Sequence, residues 1–134
     1  MKPEFMINNS MLGLENYLMR AILKSLIDLG GIADRKEIKR DINDNSDIIP
    51  KDFIDYSPTS ERTSKKYNPF TIRFGFAVKH LNYADLVMFP KRGLVELTEK
   101  GRKIDLEQFK PEIDVRILSQ PIFDRTSKKK THKS

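Results

Sequence analysis

Asp28, Glu37 and Lys39 have the one spacing in this chain that resembles a metal-dependent nuclease set, in which two acids and a lysine converge on a phosphate and its metal. Both acids have simpler roles. Asp28 falls near the end of a helix, and Glu37 stands three residues after Asp34, where a glutamate caps a helix start. His80 and His132 are too few and too distant for a histidine-rich metal site. The chain has no cysteine, which excludes a thiol nucleophile, a disulfide framework and a cysteine-based metal site. It also lacks a glycine-rich phosphate loop and any serine or threonine in a nucleophile motif. We therefore expect no enzymatic activity, and neither cofactor nor metal.

The cations point elsewhere. The formal net charge is +6, and it is unevenly spread. Residues 1–61 carry −3, 62–103 carry +7, 104–119 carry −2 and 120–134 carry +4. A focused cationic block attracts a polyanion, whereas evenly scattered lysines only solvate a surface. Hydrophobic residues at 38% and charged residues at 33% predict a modest core under a polar surface. No run approaches the ~18 apolar residues of a membrane span. The N-terminal stretch, with Asn8, Asn9, Glu15 and Asn16 among its apolar positions, is a poor signal peptide. A cytoplasmic protein without membrane contact is expected.

The elements that would position those cations centre on residues 70–98. Phe70, Phe74, Ala77, Leu81 and Ala84 recur at helical spacing and predict a helix from Phe70 to Ala84. Leu86–Phe89 and Leu94–Leu97 then read as a hairpin around Pro90-Lys91-Arg92-Gly93, which places Lys91 and Arg92 at its tip. A helix feeding a basic-tipped hairpin is the recognition end of a winged helix-turn-helix. Thr71, Ile72 and Arg73 lie at the helix N-terminus, the part that usually enters the major groove. Arg73 either reads guanine O6 and N7 bidentately or forms a buried ion pair. Ile72, Phe76, Lys79 and Tyr83 lie opposite the buried stripe. The apolar three pack under residues 43–69, bury in a dimer or touch thymine methyls, with packing favoured for Phe76.

Upstream, Leu14, Leu18, Ala21, Ile22, Leu26 and Leu29 define a scaffold helix ended by Gly30-Gly31. Asp34 and Glu37 form a capping box for a second helix, with Ile38 and Ile42 inward and Arg35, Lys36 and Lys39 outside, either on phosphates or simply solvated. Residues 43–69 are too long for the turn of a helix-turn-helix and read as an insertion. Pro50 opens a short helix there, and 57–68 reads as polar, either mobile or ordered only on DNA. Its Arg62, Lys65 and Lys66 precede the recognition helix and track phosphates, and Asn68 is a further DNA-binding candidate. Thr98 caps a last helix, Glu99–Phe109, and residues 112–118 fit a strand or a helix equally. The domain order is a lead-in at 1–13, a winged helix-turn-helix at 14–110, a C-terminal extension at 111–124 that suits dimerisation, and a basic disordered tail at 125–134.

The segments ILKSLIDLGG, ADRKEI, FTIRFGFAVKHL and above all KRGLVELTEKGRK give the chain a family likeness. Over residues 14–104 it resembles the winged-helix N-terminal domain of Mrr-type restriction proteins. The family often has Trp where this chain has Phe76, and Gly where it has Asp85. Such domains usually precede a nuclease domain, for which this sequence has no room. The resemblance implies DNA binding by a separate recognition subunit and no cleavage by this chain alone.

The expected fold is thus α+β, mainly α: a winged helix-turn-helix with a long insertion between helix 2 and the recognition helix. The expected partner is double-stranded DNA, bound as a transcriptional regulator or as the recognition component of a restriction or defence system. A homodimer and a separate nuclease or defence subunit are further candidate partners. The DNA-binding candidates are Arg62, Lys65, Lys66, Asn68, Thr71, Ile72, Arg73, Lys79, Lys91 and Arg92. The rival reading is a protein-interaction winged helix that docks a partner or a second copy through Ile72, Phe76 and Tyr83.

Overall fold

Glycine and capping residues divide the chain into its elements. The structure is a computed structural model that describes the backbone of residues 1–132 and the side chains of residues 1–127. α1 (Glu4–Ile7) precedes α2 (Met11–Asp28), which Ser10 caps by accepting from the Gly13 N–H. Gly30 and Gly31 take φ +94° and +98°. Their N–H groups bond back to Ile27 and Leu26, which closes the end of α2. β1 (Ile32–Asp34) leads into α3 (Arg35–Asn45), and the capping box of Asp34 and Glu37 is fully formed. α4 (Lys51–Asp55) and a loop precede α5 (Pro69–Tyr83). β2 (Val87–Met88) and β3 (Leu94–Leu97) make the hairpin. α6 (Glu99–Arg102), α7 (Pro111–Asp114) and α8 (Arg116–His132) complete the chain.

The architecture is mainly helical with one antiparallel sheet of order β1-β3-β2. Ile32 pairs with Glu96 and Val87 with Leu97, so β3 is central and holds the hairpin to the strand that launches α3. The core joins Leu18, Ile22 and Leu26 of α2 to Ile38 and Ile42 of α3 and Phe70, Phe74 and Leu81 of α5. Burial of a side chain of this size stabilises by about 1.5–3 kcal/mol, so the stripe read from helical spacing holds the helices together. The Leu-Thr-Glu-x-Gly stretch now has a physical account. Leu97 is buried, and Thr98 accepts from the Gly101 N–H while donating to the Asp85 carbonyl. Gly101 presses against Leu86, whose carbonyl oxygen a Cβ there would strike.

Several boundaries differ from the sequence expectation. The lead-in is not loose: Phe5 of α1 packs between the rings of Tyr17 and Phe53, each 5.3 Å away. Residues 57–67 form a turn closed by a bridge between Thr59 and Lys66, with the Ser60 N–H on Lys65 O and the Tyr67 N–H on Pro58 O. The last helix ends at Arg102 instead of Phe109. Residues 112–118 are helical, not a strand. α8 runs on to His132 where a disordered tail was expected from Arg125, because its first half is anchored on α5 and gives the helix a nucleus to extend. The last two residues of that expected tail lie outside the described residues.

Candidate nucleic-acid interface

The hairpin tip is built by backbone chemistry. Gly93 takes φ +85°, and the Leu94 N–H closes the turn on Lys91 O at 3.0 Å. Lys91 and Arg92 are left exposed. The Gly93 carbonyl accepts from the Arg35 N–H at 3.1 Å, so the start of α3 hangs on the hairpin. The Arg35 guanidinium lies 5.3 Å from the centre of the Phe89 ring. The same arginine lines a shallow groove of about 290 Å³ with Ile72, Gly75, Phe76 and Lys79 of α5. One side chain thus joins the hairpin, α3 and the open face of α5. The sequence reading offered Arg35 as a phosphate contact or a solvated charge together with Lys36 and Lys39, but left it out of the DNA-binding candidates; its closeness to the hairpin comes from the pairing of β1 with β3.

The open face of α5 is narrow. Thr71, Ile72, Gly75 and Lys79 line it, and Ile72 is 40% exposed. Thr71 is tied to Asn68, which takes its N–H at 2.8 Å and its hydroxyl at 2.7 Å. Asn68 was expected to meet DNA but is occupied as the N-cap of α5. Its amide also donates to the Ile54 and Tyr56 carbonyls, which ties the preceding loop to the helix. Arg62, Lys65 and Lys66 stand exposed on that loop. Among the described residues, no ion pair engages Arg35, Arg62, Lys65, Lys66, Lys79, Lys91 or Arg92.

Arg73 is not on this face. Its guanidinium donates to Glu15 of α2 at 2.7 Å and lies over the Phe76 ring at 4.7 Å. Of the two roles open from the sequence, the structure has the ion pair, because α8 covers that flank of α5. Glu15 is 4% exposed and also pairs with Arg116 of α8 at 3.2 Å. A carboxylate between Leu14 and Leu18 on an apolar stripe was the readable signal for a buried cation partner. Phe76 packs on Phe123 of α8 at 5.8 Å, and Tyr83 lines the recess beside them. The packing favoured for Phe76 is present, but against α8 and not residues 43–69. Ile72, Phe76 and Tyr83 therefore do not form one exposed apolar patch.

His80, also on the flank under α8, is 2% exposed. Its Nδ1 lies 2.7 Å from Ser119 Oγ and its Nε2 3.4 Å from an Arg116 nitrogen. Arg116 can only donate, so Nε2 accepts and Nδ1 carries the proton to Ser119. Burial, reinforced by the Arg116 charge, lowers its pKa to about 4. His80 is thus a neutral packing residue at ordinary pH. The acids of the nuclease-like spacing are also occupied: Asp28 pairs with Lys24 at 2.9 Å, and Glu37 accepts from the Asp34 N–H. Among the described residues, no cluster of His, Asp and Glu is placed to hold a metal ion, and no helix is long and apolar enough to cross a membrane.

Residues 16–107 match the family model described as the Mrr N-terminal domain. No curated protein matches the chain, and neither does any solved structure. The matched segment runs from α2 past α6 and includes Arg35, Arg62, Lys65, Lys66, Lys79, Lys91 and Arg92, while α7 and α8 follow it.

Proposed function

The chain belongs to the Mrr N-terminal domain family, and we propose that it is a double-stranded DNA-binding module serving as the recognition component of a restriction or defence system. In this reading the domain is a winged helix-turn-helix. α3 and α5 are the helix pair, α4 and the 57–67 loop are an insertion between them, and β2–β3 is the wing. The observation that carries the reading is the junction at Arg35. It sets an unpaired cation against the hairpin tip and the open face of α5, next to Lys79 and near Lys91 and Arg92. Phosphate oxygens are met by such fixed cations, and the face of α5 between them is free to approach base edges. That face offers Ile72, Gly75, Thr71 and Lys79, with few groups able to read bases bidentately. The module therefore binds chiefly through phosphates and the shape of the groove.

The test is binding to a randomised duplex pool at two salt concentrations with a nonspecific competitor. Salt-sensitive binding is expected, with modest sequence enrichment. Absence of binding at low salt would overturn the reading.

A further inference from the structure

Gly75 stands in the interior of α5 without a reason in the fold. Its backbone is ordinary helix and not left-handed. Among the described residues, a Cβ added there would meet nothing within 4 Å beyond its own helix and its chain neighbours. Gly101 differs, because a Cβ there would strike the Leu86 carbonyl. Glycine inside a helix loses more chain entropy on folding than alanine does, so Gly75 costs stability and secures no contact within the domain. A glycine of this kind serves where another molecule comes close to the backbone.

The groove around it says what comes close. Gly75 lines the groove of about 290 Å³ together with Ile72 and Phe76, and the charged residues lining it are Arg35 and Lys79. Ile72, Gly75 and Phe76 have no side-chain hydrogen-bonding group, and the two cations carry no ion pair among the described residues. An apolar floor beside two cations fits an apolar group carried on a polyanion. On the major-groove edge of duplex DNA that group is the C5-methyl of thymine, with phosphates to either side. We propose that Gly75 is a specificity-determining position, which admits a thymine C5-methyl between Ile72 and Phe76 with Arg35 and Lys79 towards the flanking phosphates. The inference rests on the DNA-binding reading and adds to it the base feature that this groove reads.

Fluorescence anisotropy of the full chain tests it on two duplexes, one containing thymine and the other identical but with deoxyuridine at every thymine position. The exchange removes the methyl and keeps the base-pairing groups. The wild type is expected to bind the thymine duplex roughly 3–5-fold more tightly, as burial of one methyl implies. Gly75→Ala should lose that preference, weakened on the thymine duplex and little changed on the deoxyuridine duplex, because its Cβ takes the place of the methyl. Its thermal midpoint should rise by about 2–5 °C, which separates a lost contact from a lost fold. Undiminished binding of the thymine duplex by Gly75→Ala, or a lowered midpoint, overturns the proposal. Equal wild-type affinity for the two duplexes, or equal losses on both in the variant, overturns the methyl assignment. A wild type that binds neither duplex overturns the DNA reading itself, and this inference with it.

Discussion

Arg73 of α5 donates to Glu15 of α2 across 2.7 Å, and the same carboxylate holds Arg116 of α8 at 3.2 Å. One buried acid thus pairs with two guanidinium groups and fixes three helices against one another. Breaking a buried ionic group by removing one partner costs about 3–5 kcal/mol, because the remaining charge is left without compensation. Glu15→Ala should approach that range in urea denaturation, with two cations stranded. Arg73→Ala should cost less, since Glu15 keeps Arg116. On DNA, Arg73→Ala should leave base preference unchanged. A change in base preference would return Arg73 to the reading face.

The histidine under α8 predicts a pH response. The pKa of His80 is about 4 in the fold, below its ordinary 6.5, chiefly because burial disfavours the imidazolium. Between those values the unfolded chain binds the proton more readily, so stability falls as pH drops from 6.5 towards 4. The loss is on the order of 3 kcal/mol at most. Urea denaturation across that window should show it, and His80→Leu should flatten this component of the slope. An unchanged slope in the variant would mean that other groups carry the effect.

Local chemistry was the legible part of the fold. The Asp34/Glu37 capping box, the Gly30-Gly31 stop, the α5 stripe and the hairpin turn all depend on residues within a few positions of one another, where spacing alone specifies geometry. Long-range pairing was not legible. Arg73 meets a carboxylate 58 residues away, and His80 meets a serine 39 residues on. Nothing local distinguishes an arginine that reads bases from one folded against a distant helix. α8 shows the same limit. Its polar, lysine-rich sequence has no helical stripe to read, and Ser119 and Phe123 meet the domain only through His80 and Phe76, far away in the sequence. Of the candidate site, the exposed cations on turns were readable, while Arg35 was set by a β1–β3 pairing that sequence spacing does not reveal.

Asp85 marks a place where one backbone conformation is held at a cost. It ends α5 with φ +63°, and the N–H groups of Asp85 and Leu86 bond back to Asn82 and Leu81. Left-handed backbone costs an L-residue roughly 1–2 kcal/mol, less for aspartate, and glycine avoids the clash at some cost in unfolded-state entropy. Asp85→Gly should therefore stabilise by about 0.5–1 kcal/mol in thermal or urea denaturation. Asp85→Val should destabilise, since a branched Cβ fits that region worst. A destabilised glycine variant would show that the Asp85 side chain does more than tolerate the turn.

The hairpin tip should act on affinity and not on folding. Lys91 and Arg92 are exposed and carry no ion pair among the described residues. Lys91→Ala with Arg92→Ala should leave thermal stability within about 0.5 kcal/mol. It should weaken binding to every duplex and reduce the slope of log affinity against log salt by roughly two, one for each lost phosphate contact. Wild-type slope in the double variant would remove the tip from the interface.

Arg35 should behave differently from the tip, because it is held and not merely exposed. Its backbone is bonded to Gly93 and its guanidinium rests against Phe89, so under the proposed function the charge would meet DNA already oriented beside α5. A lysine keeps the charge but not the planar stacking on the ring. Arg35→Ala and Phe89→Ala should both reduce affinity for duplex DNA, and Arg35→Lys should recover only part of the loss. The double variant Arg35→Ala/Phe89→Ala should be little worse than Arg35→Ala alone, since Phe89 acts by holding the arginine and two residues that act as a unit are not additive. Fluorescence anisotropy on a labelled duplex, with denaturation of each variant alongside, separates the possibilities. Full recovery by lysine would reduce Arg35 to a diffuse positive charge. Additive losses would mean that Phe89 meets DNA on its own account.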